Sequence, residues 1–329
     1  MEILIKNNTF NEIIIGKLAY RIRFSISGKI SDFATGNEKE RIIDGTNIER
    51  QYGGMAGNIA YGLSILGGKS LLISQVGKDF DHYYRPHLEK LGVSLNVFTD
   101  PEKESACWYE IQDEENTKLV IKQNNSYHLF AEKTLAEFLD TKDIDLVKAA
   151  FIGTGKAEAD IKFISDMLKR NNRIPIIYSP DSNIVELTKW RLSSIFDQIT
   201  ILLCTEEELN IIERKMKSTR NELIINSKRM KYIISMYERS KIVVYSEKTK
   251  IKVSEGPAEE VLSDDYWKDA FRAGLIFGVS SRKPIEEAAR LGSALASYAV
   301  ETRECQTYSP SIEQVTLRSF EVKTIEKGN

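Results

Sequence analysis

Short apolar runs alternate with longer amphipathic stretches along most of this chain, and this alternation is the feature that most limits its fold. The runs have the length of buried strands, and the intervening stretches carry apolar residues at helical spacing. Strands are predicted at residues 13–16, 70–76, 147–153, 174–179, 199–204, 232–236 and 241–245. Helices are predicted at residues 56–66, 82–91, 133–139, 157–170, 206–215, 220–229, 268–279 and 284–300. Strands joined through helices predict an α/β fold, doubly wound around a mostly parallel central sheet flanked by helices.

Two segments interrupt the alternation. Residues 17–52 and 104–123 read as extended chain, in which aromatic and β-branched residues alternate with polar ones, as at Tyr20, Ile22 and Phe24. We predict that they form a small inserted sheet outside the central one. No Pro- or Gly-rich linker, repeat or low-complexity segment divides the chain, so residues 1–329 are predicted to form a single domain.

Charge and composition exclude several classes of protein. The chain has 46 Lys plus Arg and 48 Asp plus Glu, a net charge of −2, which gives no support for a nucleic-acid or membrane partner. With 42% hydrophobic and 29% charged residues, it is predicted to fold. The sequence shows no apolar run long enough for a signal peptide or a membrane-spanning helix.

The cysteines point to a reducing compartment. Cys107, Cys204 and Cys305 lie far apart, without the spacing of a disulfide framework or the nearby histidines of a structural zinc site. We therefore expect a cytoplasmic protein and no structural metal site.

The most specific stretch is rich in glycine. Residues 53–63 read GGMAGNIAYGL, in which Gly53 and Gly54 precede a predicted helix and Asn58 lies in its first turn. A Gly-Gly turn allows a ligand to approach bare backbone, and an asparagine amide can recognise a hydroxyl. Glycines needed only for the turn at an ordinary helix start explain the same pattern equally well.

This stretch resembles the G-G-x-x-x-N-x-A signature of the ribokinase-like (PfkB) sugar and nucleoside kinases, particularly the branch similar to adenosine kinase. A second match is residues 269–275, DAFRAGL, followed by AARLG at 288–292, which is similar to the family's C-terminal D-T-T-G-A-G-D-A-F-x-A-G signature and its following helix. The resemblance covers residues 12 to 308 approximately and implies a ribokinase-like fold with a small β-sheet lid, here residues 17–52 and 104–123.

The resemblance implies phosphoryl transfer from ATP, with Mg²⁺, to a hydroxymethyl group of a sugar or nucleoside. Asp269 stands at the position of the family's general base, and the amides before it correspond to the anion hole. Gly53, Gly54 and Asn58 fall on the acceptor side. Phosphoryl transfer depends mainly on positioning and charge neutralisation, so the anion hole and the metal matter as much as the base.

The residues ahead of that base depart from the family motif. Residues 263–269 read SDDYWKD, so the glycines of the anion hole are lost. Tyr266 and Trp267 bring Cβ atoms and large rings to the space where a phosphate would meet the helix amides. Carboxylates ahead of a helix tend to cap its amides, so Asp264 and Asp265 are expected to occupy those that remain. Lys268 offers a cation that could contact a phosphate instead.

Three further positions depart. The family's N-x-x-E, which helps to organise the magnesium water shell, corresponds to CTEE at 204–207, where only Glu207 matches. The T-x-G turn that faces the nucleotide phosphates corresponds to SMY at 235–237, with Tyr237 in place of the glycine. The Asp that would hold sugar hydroxyls corresponds to Arg21, which cannot accept a hydroxyl hydrogen bond but can bind a carboxylate or phosphate. Asp269 then also fits an ordinary acid in the first turn of a helix.

Three hypotheses follow. The first is a PfkB homologue with weak or absent phosphotransfer that keeps a small-molecule pocket formed by Gly53, Gly54, Asn58 and Arg21. The second is an active ATP-dependent nucleoside or sugar kinase in which Lys268 and Glu207 serve the nucleotide side. The third is a non-catalytic scaffold whose lid forms an oligomer.

A homodimer through the lid is predicted, because an inserted sheet with Ile22, Phe24 and Trp108 would otherwise expose apolar surface and open edges. Trp108 fits two roles, stacking on a ligand or packing within the lid. His82 and His87 are predicted to be surface residues.

Overall fold

A computed structural model describes residues 10–33, 42–139, 141–180 and 184–328. Fourteen strands in these ranges form two sheets. The larger sheet contains β1 (Glu12–Gly16), β4 (Ser70–Gly77), β5 (Ser94–Asp100), β8 (Ala149–Gly153), β9 (Ile176–Tyr178), β10 (Ile201–Thr205), β11 (Tyr232–Met236), β12 (Ile242–Tyr245), β13 (Thr249–Val253) and β14 (Thr324–Gly328). The smaller sheet contains β2 (Ala19–Ile26), β3 (Gly45–Gly53), β6 (Ala106–Gln112) and β7 (Lys118–Gln123).

The larger sheet has the strand order β14-β13-β12-β11-β10-β9-β8-β1-β4-β5. Neighbours from β11 to β5 are parallel, whereas β12, β13 and β14 add to the β11 edge as antiparallel strands. The predicted α/β fold with a mostly parallel sheet is therefore confirmed.

Helices cover both faces of this sheet. They are α2 (Met55–Ile65), α3 (Phe80–Lys90), α4 (Ala157–Arg170), α5 (Lys189–Phe196), α6 (Glu206–Met216), α7 (Arg220–Ile225), α8 (Trp267–Ser280), α9 (Ile285–Val300) and α10 (Ile312–Glu321). The short α1 (Ile30–Phe33) instead connects β2 to β3. In β1, Ile14 packs into the layer of α2, α8 and α9, and its neighbours Ile13 and Ile15 pack into the layer of α4 to α7. A central strand buried on both faces explains why its sequence is continuously apolar. None of the described helices has the length and hydropathy required to cross a bilayer.

The smaller sheet has the order β3-β2-β6-β7 and draws its strands from residues 17–52 and 104–123. β2 pairs antiparallel with β3 and parallel with β6. The two segments are therefore joined by the pairing of the two central strands, β2 and β6. Residues 34–41 of the first segment lie outside the described residues.

Several elements differ from the sequence prediction. The helix predicted at 133–139 is wrong, since that region has short 3-10 turns, Asn125–Glu132 and Leu135–Glu137. The helix predicted at 220–229 ends at Ile225. Five elements, β5, β13, β14, α5 and α10, were not predicted from the sequence. Partly exposed edge strands such as β5 and β14 lack the continuous apolar run by which the buried strands are recognised.

Candidate functional site

A cavity of about 280 Å³ lies between the smaller sheet and the carboxyl ends of the parallel strands, where α2 and α8 begin. It is lined by most of the residues that the sequence analysis singled out. They are Arg21, Gly53, Gly54, Asn58, Lys268 and Asp269. The fold therefore brings together residues up to about 250 positions apart in the chain.

A larger groove of about 840 Å³ lies elsewhere, at the amino ends of β8 and β9. It is lined by residues 145–148, 168–175, 279 and 282 and contains none of the predicted site residues. Size alone is therefore not what identifies the functional cavity in this molecule.

Gly54 makes the turn from β3 into α2. Its φ is +82°, and a Cβ at this position would lie 2.5 Å from the carbonyl oxygen of Lys17. The amide of Ala56 donates to that same oxygen at 3.1 Å. The turn thus needs glycine because the chain's own backbone approaches it closely.

Asn58 holds Asp269 directly. The Asn58 Nδ2 donates to Asp269 Oδ2 at 2.7 Å, and Asn58 Oδ1 accepts from Gln306 Nε2 and from Cys305 Sγ, both at 2.9 Å. Arg272 Nη1 donates to the other carboxylate oxygen, Oδ1, at 2.8 Å. Both oxygens of Asp269 therefore accept hydrogen bonds, an arrangement that fixes the orientation of the carboxylate.

Gln306 and Arg272 were missed by the sequence analysis. Gln306 is buried with φ +58°, and its Nε2 also donates to Tyr84 Oη at 2.6 Å. Its Oε1 lies 2.9 Å from His87 Nε2, so one hydrogen-bonded chain joins His87 through Gln306 and Asn58 to Asp269. Arg272 had a sequence signal, because a residue three positions after Asp269 on a helix lies on the same face. Gln306 had none.

The prediction that His87 is a surface residue is wrong, whereas His82 is exposed as expected. The His87 ring is half-buried and stacks on Tyr52, with ring centroids 4.2 Å apart and an interplanar angle of 13°. Burial lowers the pKa of His87, although the hydrogen bond with Gln306 opposes that effect.

Arg21 is engaged within the chain. Its Nη1 donates to Tyr266 Oη at 2.8 Å and to Asp265 Oδ2 at 3.1 Å. Asp265 also accepts from Arg23 Nη2 at 3.2 Å and from Lys118 Nζ at 2.9 Å. Burial would raise the pKa of the Asp265 carboxyl, but the Lys118 hydrogen bond and the charge of Arg21 outweigh it and hold that pKa below its usual value.

The start of α8 is closed by its own side chains. Tyr266 and Trp267 are only 7% and 5% exposed. The Tyr266 hydroxyl donates to Gln51 Oε1 at 2.7 Å, which ties it to the smaller sheet. Trp267 packs against Ile242 and α9, and the space enclosed there admits no water molecule.

Asp264 and Asp265 do not cap α8, and that expectation is wrong. Asp264 pairs with Arg239 Nε at 2.8 Å, and Asp265 is held by the cations of the smaller sheet. Both carboxylates therefore form charge-assisted bonds with guanidinium or ammonium groups and not hydrogen bonds with the helix amides.

Lys268 lines the cavity with no carboxylate in the described ranges within 4 Å of its ammonium group. Its Nζ lies 5.6 Å from the centre of the Trp267 ring. The cavity therefore holds a cation that no described carboxylate neutralises by direct pairing.

Glu207 is exposed and does not line the cavity, whereas Thr205 and Glu208 do. Thr205 N donates to Glu208 Oε2 at 2.7 Å, and Glu208 N donates to Thr205 Oγ1 at 3.2 Å, a capping box at the start of α6. This pair lies one residue beyond Cys204 and Glu207, the pair singled out from the sequence. The T-x-x-E spacing was the sequence signal that could have shown it.

Magnesium has no ready-made ligand set in the part of the chain that the structure describes. No three His, Cys, Asp or Glu side chains cluster there. Two carboxylates of the cavity wall, Glu208 and Asp269, already accept hydrogen bonds from Thr205, Asn58 and Arg272. The described residues therefore form no Mg²⁺ cage of their own, whereas a Mg²⁺ held in the manner of kinases needs only one or two carboxylates together with the phosphates of the substrate.

The chain belongs to the pfkB family of carbohydrate kinases, whose family model matches residues 25–312. It is similar to the nucleoside kinase of Methanocaldococcus jannaschii, with 24% identity over 277 residues that cover 83% of this chain and 86% of that protein. It is also 23% identical to the 5-dehydro-2-deoxygluconokinase of Clostridium botulinum, over 94% of this chain and 93% of the relative.

Solved structures share the fold. The M. jannaschii nucleoside kinase superposes with a TM-score of 0.82 at 21% identity, covering 96% of this chain and all of that one. The nucleoside kinase of Burkholderia thailandensis in complex with inosine gives a TM-score of 0.78 at 20% identity, covering 94% and 97%. The chain therefore has the ribokinase-like architecture.

Proposed function

We propose that this chain binds a small sugar- or nucleoside-like molecule in the 280 Å³ cavity and transfers phosphate from ATP weakly or not at all. The observation that carries the proposal is the burial of Tyr266 and Trp267 at the start of α8. Phosphoryl transfer requires donors aimed at the charge that develops in the transition state. Here two large side chains occupy the approach to those donors.

The nucleotide side is closed further by a loop. Arg239 follows β11 and pairs with Asp264 at 2.8 Å and with Glu255 at 3.3 Å. Arg239 and Glu255 line the space beside Trp267 that admits no water, whereas the Asp264 carboxylate is exposed. ATP would have to displace both the indole ring and the ion pairs to reach α8.

The acceptor side supports binding of a small molecule. Asn58, Asp269 and Lys268 line one cavity, and aromatic side chains, Tyr52, Trp108 and Tyr266, also line it. An aromatic wall with a few polar groups is typical of small-molecule sites. The B. thailandensis kinase in complex with inosine, which shares this fold, supports a nucleoside as one class of ligand.

The proposal is tested by calorimetry with millimolar Mg-ATP and by a phosphorylation assay over a panel of nucleosides and sugars. Removal of one transition-state donor costs about 3 kcal/mol, so the loss of several should lower the rate by roughly 10⁴-fold or more. We expect no ATP binding and no turnover, but saturable binding of at least one panel member. Failure of every panel member to bind would contradict the small-molecule part and favour a scaffold.

An active kinase is the second candidate, and the shared cavity of Asp269 and Lys268 favours it. Asp269 would accept the proton of the acceptor hydroxyl, while Lys268 would neutralise the transferred phosphate. Turnover that disappears in Asp269→Asn would establish this function. Opening α8 with Tyr266→Gly, Trp267→Ala and Lys268→Gly together should restore ATP affinity if its closed start is the main defect, with Asp269→Asn in the same background as the control.

We also propose a homodimer through the smaller sheet. The side chains predicted to be exposed, Ile22, Phe24 and Trp108, are partly buried in the structure. The edge strand β7 supplies the apolar surface instead, since Leu119 and Ile121 are 50% and 57% exposed. An open apolar edge favours pairing with a second strand. The cytoplasm is the proposed location, supported by three cysteines that are all free and buried.

A further inference from the structure

We propose that Arg21, Arg23 and Lys118 form a recognition site for an anionic group, a carboxylate or phosphate monoester, on the molecule that enters the cavity. Asp265 occupies this site as an internal competitor. The inference rests on the proposed small-molecule function and names the charge of its ligand.

Three cations of the smaller sheet converge on one carboxylate that does not belong to that sheet. Arg21 and Arg23 come from β2, and Lys118 comes from β7. Their nitrogens lie 3.1, 3.2 and 2.9 Å from Asp265 Oδ2. Asp265 belongs to residues 254–266, a segment without helix or strand that leads into α8.

The charges of the sheet do not balance without Asp265. Glu110 is buried among the same cations, 2.6 Å from Arg23, 3.6 Å from Arg21 and 3.8 Å from Lys118. Glu49 is the other sheet carboxylate in contact, 3.9 Å from Arg23. Three cations against two carboxylates leave one positive charge, which Asp265 neutralises. An anion from outside the chain would neutralise it equally well.

The charged side chains that line the cavity also have a net positive charge. Its cations are Lys17, Arg21, Lys268 and Arg272, and its carboxylates are Glu208, Asp265 and Asp269. Among the residues that the structure describes, four against three leave one positive charge, and withdrawal of Asp265 would leave two. An anion in this cavity would meet net attraction from both the wall and the sheet.

The contacts around Asp265 crowd onto one of its two carboxylate oxygens. All three cations use the same oxygen, Oδ2, and Oδ1 receives only Lys118, at 3.3 Å. Guanidinium groups prefer to engage separate oxygens of a carboxylate or phosphate. A phosphate monoester could give each cation its own oxygen, and a free carboxylate could take a position that the loop does not constrain.

Release of Asp265 requires few other bonds to break. Its amide donates to Ser263 Oγ, within the same loop, at 3.2 Å. Its side chain is 27% exposed, so a small movement carries it into water. The incoming anionic group therefore takes the place of the Asp265 carboxylate, and neither sheet has to change.

Titration calorimetry of Asp265→Asn tests this directly, with gluconate, ribose 5-phosphate and neutral ribose as probes. Removing the competitor should raise the affinity for gluconate or ribose 5-phosphate by about tenfold and leave ribose unchanged, because the wild-type chain must first vacate the site. The probe that gains more distinguishes a carboxylate ligand from a phosphate ligand. The gain should shrink at high salt and disappear when Arg23→Gln and Lys118→Gln are added.

Asp264→Asn is the matched control, since Asp264 pairs with Arg239 and not with the sheet cations. It should bind all three probes like the wild type. Asp265→Ala is the second variant and should show the same gain if Asp265→Asn misfolds. Equal affinity of wild type and Asp265 variants for both anions, or no anion binding to either variant, overturns the inference. Because no measurement uses ATP, this result is independent of whether phosphate transfer occurs.

Discussion

Replacement of Tyr266 by phenylalanine deletes one hydroxyl from the closed start of α8 and leaves the ring in place. Burial raises the pKa of this hydroxyl, so it stays protonated, donates to Gln51 and accepts from Arg21. Gln51 is only 4% exposed, and its Oε1 would lose this partner. Arg21 would keep its bond to Asp265.

The magnitude follows from the buried acceptor. A buried polar group left without a partner costs about 1–3 kcal/mol, and we expect about 2 kcal/mol for Tyr266→Phe. For a chain of this size that free energy corresponds to a fall of about 4 °C or somewhat less in Tm. Thermal melts and urea titrations of the same preparation measure both quantities.

Tyr237→Phe is the control, because Tyr237 is 47% exposed and lies outside the cavity wall. Its free energy of unfolding should change by less than about 0.5 kcal/mol. If Tyr266→Phe were as silent as Tyr237→Phe, the Tyr266 hydroxyl would not join the smaller sheet to α8, and the closed site would lose its main support.

Three further outcomes are expected. Gly274→Ala should destabilise by about 2 kcal/mol in urea titrations, because the new Cβ would lie 2.7 Å from the backbone of Gly292 and overpacking outweighs the gain in helix propensity. Burial lowers the pKa of His87 below its ordinary value of 6.5. The contribution of neutral His87 to the free energy of unfolding is therefore fully present above pH 6.5, and it is lost as the pH falls through the pKa of the folded state. His87→Phe should remove this dependence of stability on pH in thermal melts recorded at a series of pH values below 6.5. Val120→Lys on β7 should convert a dimer to a monomer in light scattering, and a monomeric wild type would count against the dimer itself.

Hydrophobic periodicity was sufficient for the central strands of the larger sheet, because these strands are buried on both faces and their sequences are largely apolar, but not for β5, β13 and β14, which lie at or next to its edges. Asp269 and Asn58 were found because each lies in a contiguous signature. Arg21 was placed correctly at the cavity, but its partners Asp265 and Tyr266 are 244 and 245 residues away. No local pattern encodes which carboxylate meets which guanidinium across such a separation.

The difference between Glu207, which was singled out from the sequence, and Glu208, which lines the cavity, has a local cause. Glu206, Glu207 and Glu208 are identical in type, and only the position of the helix start decides which of them faces the cavity. The capping box with Thr205 determines that start. Gln306 escaped notice because its importance comes from a left-handed backbone conformation that leaves no composition signal.

The parallel pairing of β2 with β6 has a consequence for how the molecule folds. It joins Arg23 to Glu110, which are 87 residues apart, and the chain between them contains β4 and α3 of the main layers. Contacts of such long range are entropically expensive until the intervening chain is ordered. The smaller sheet should therefore assemble late and open first, so that its amide protons exchange as one unit ahead of those of the large sheet.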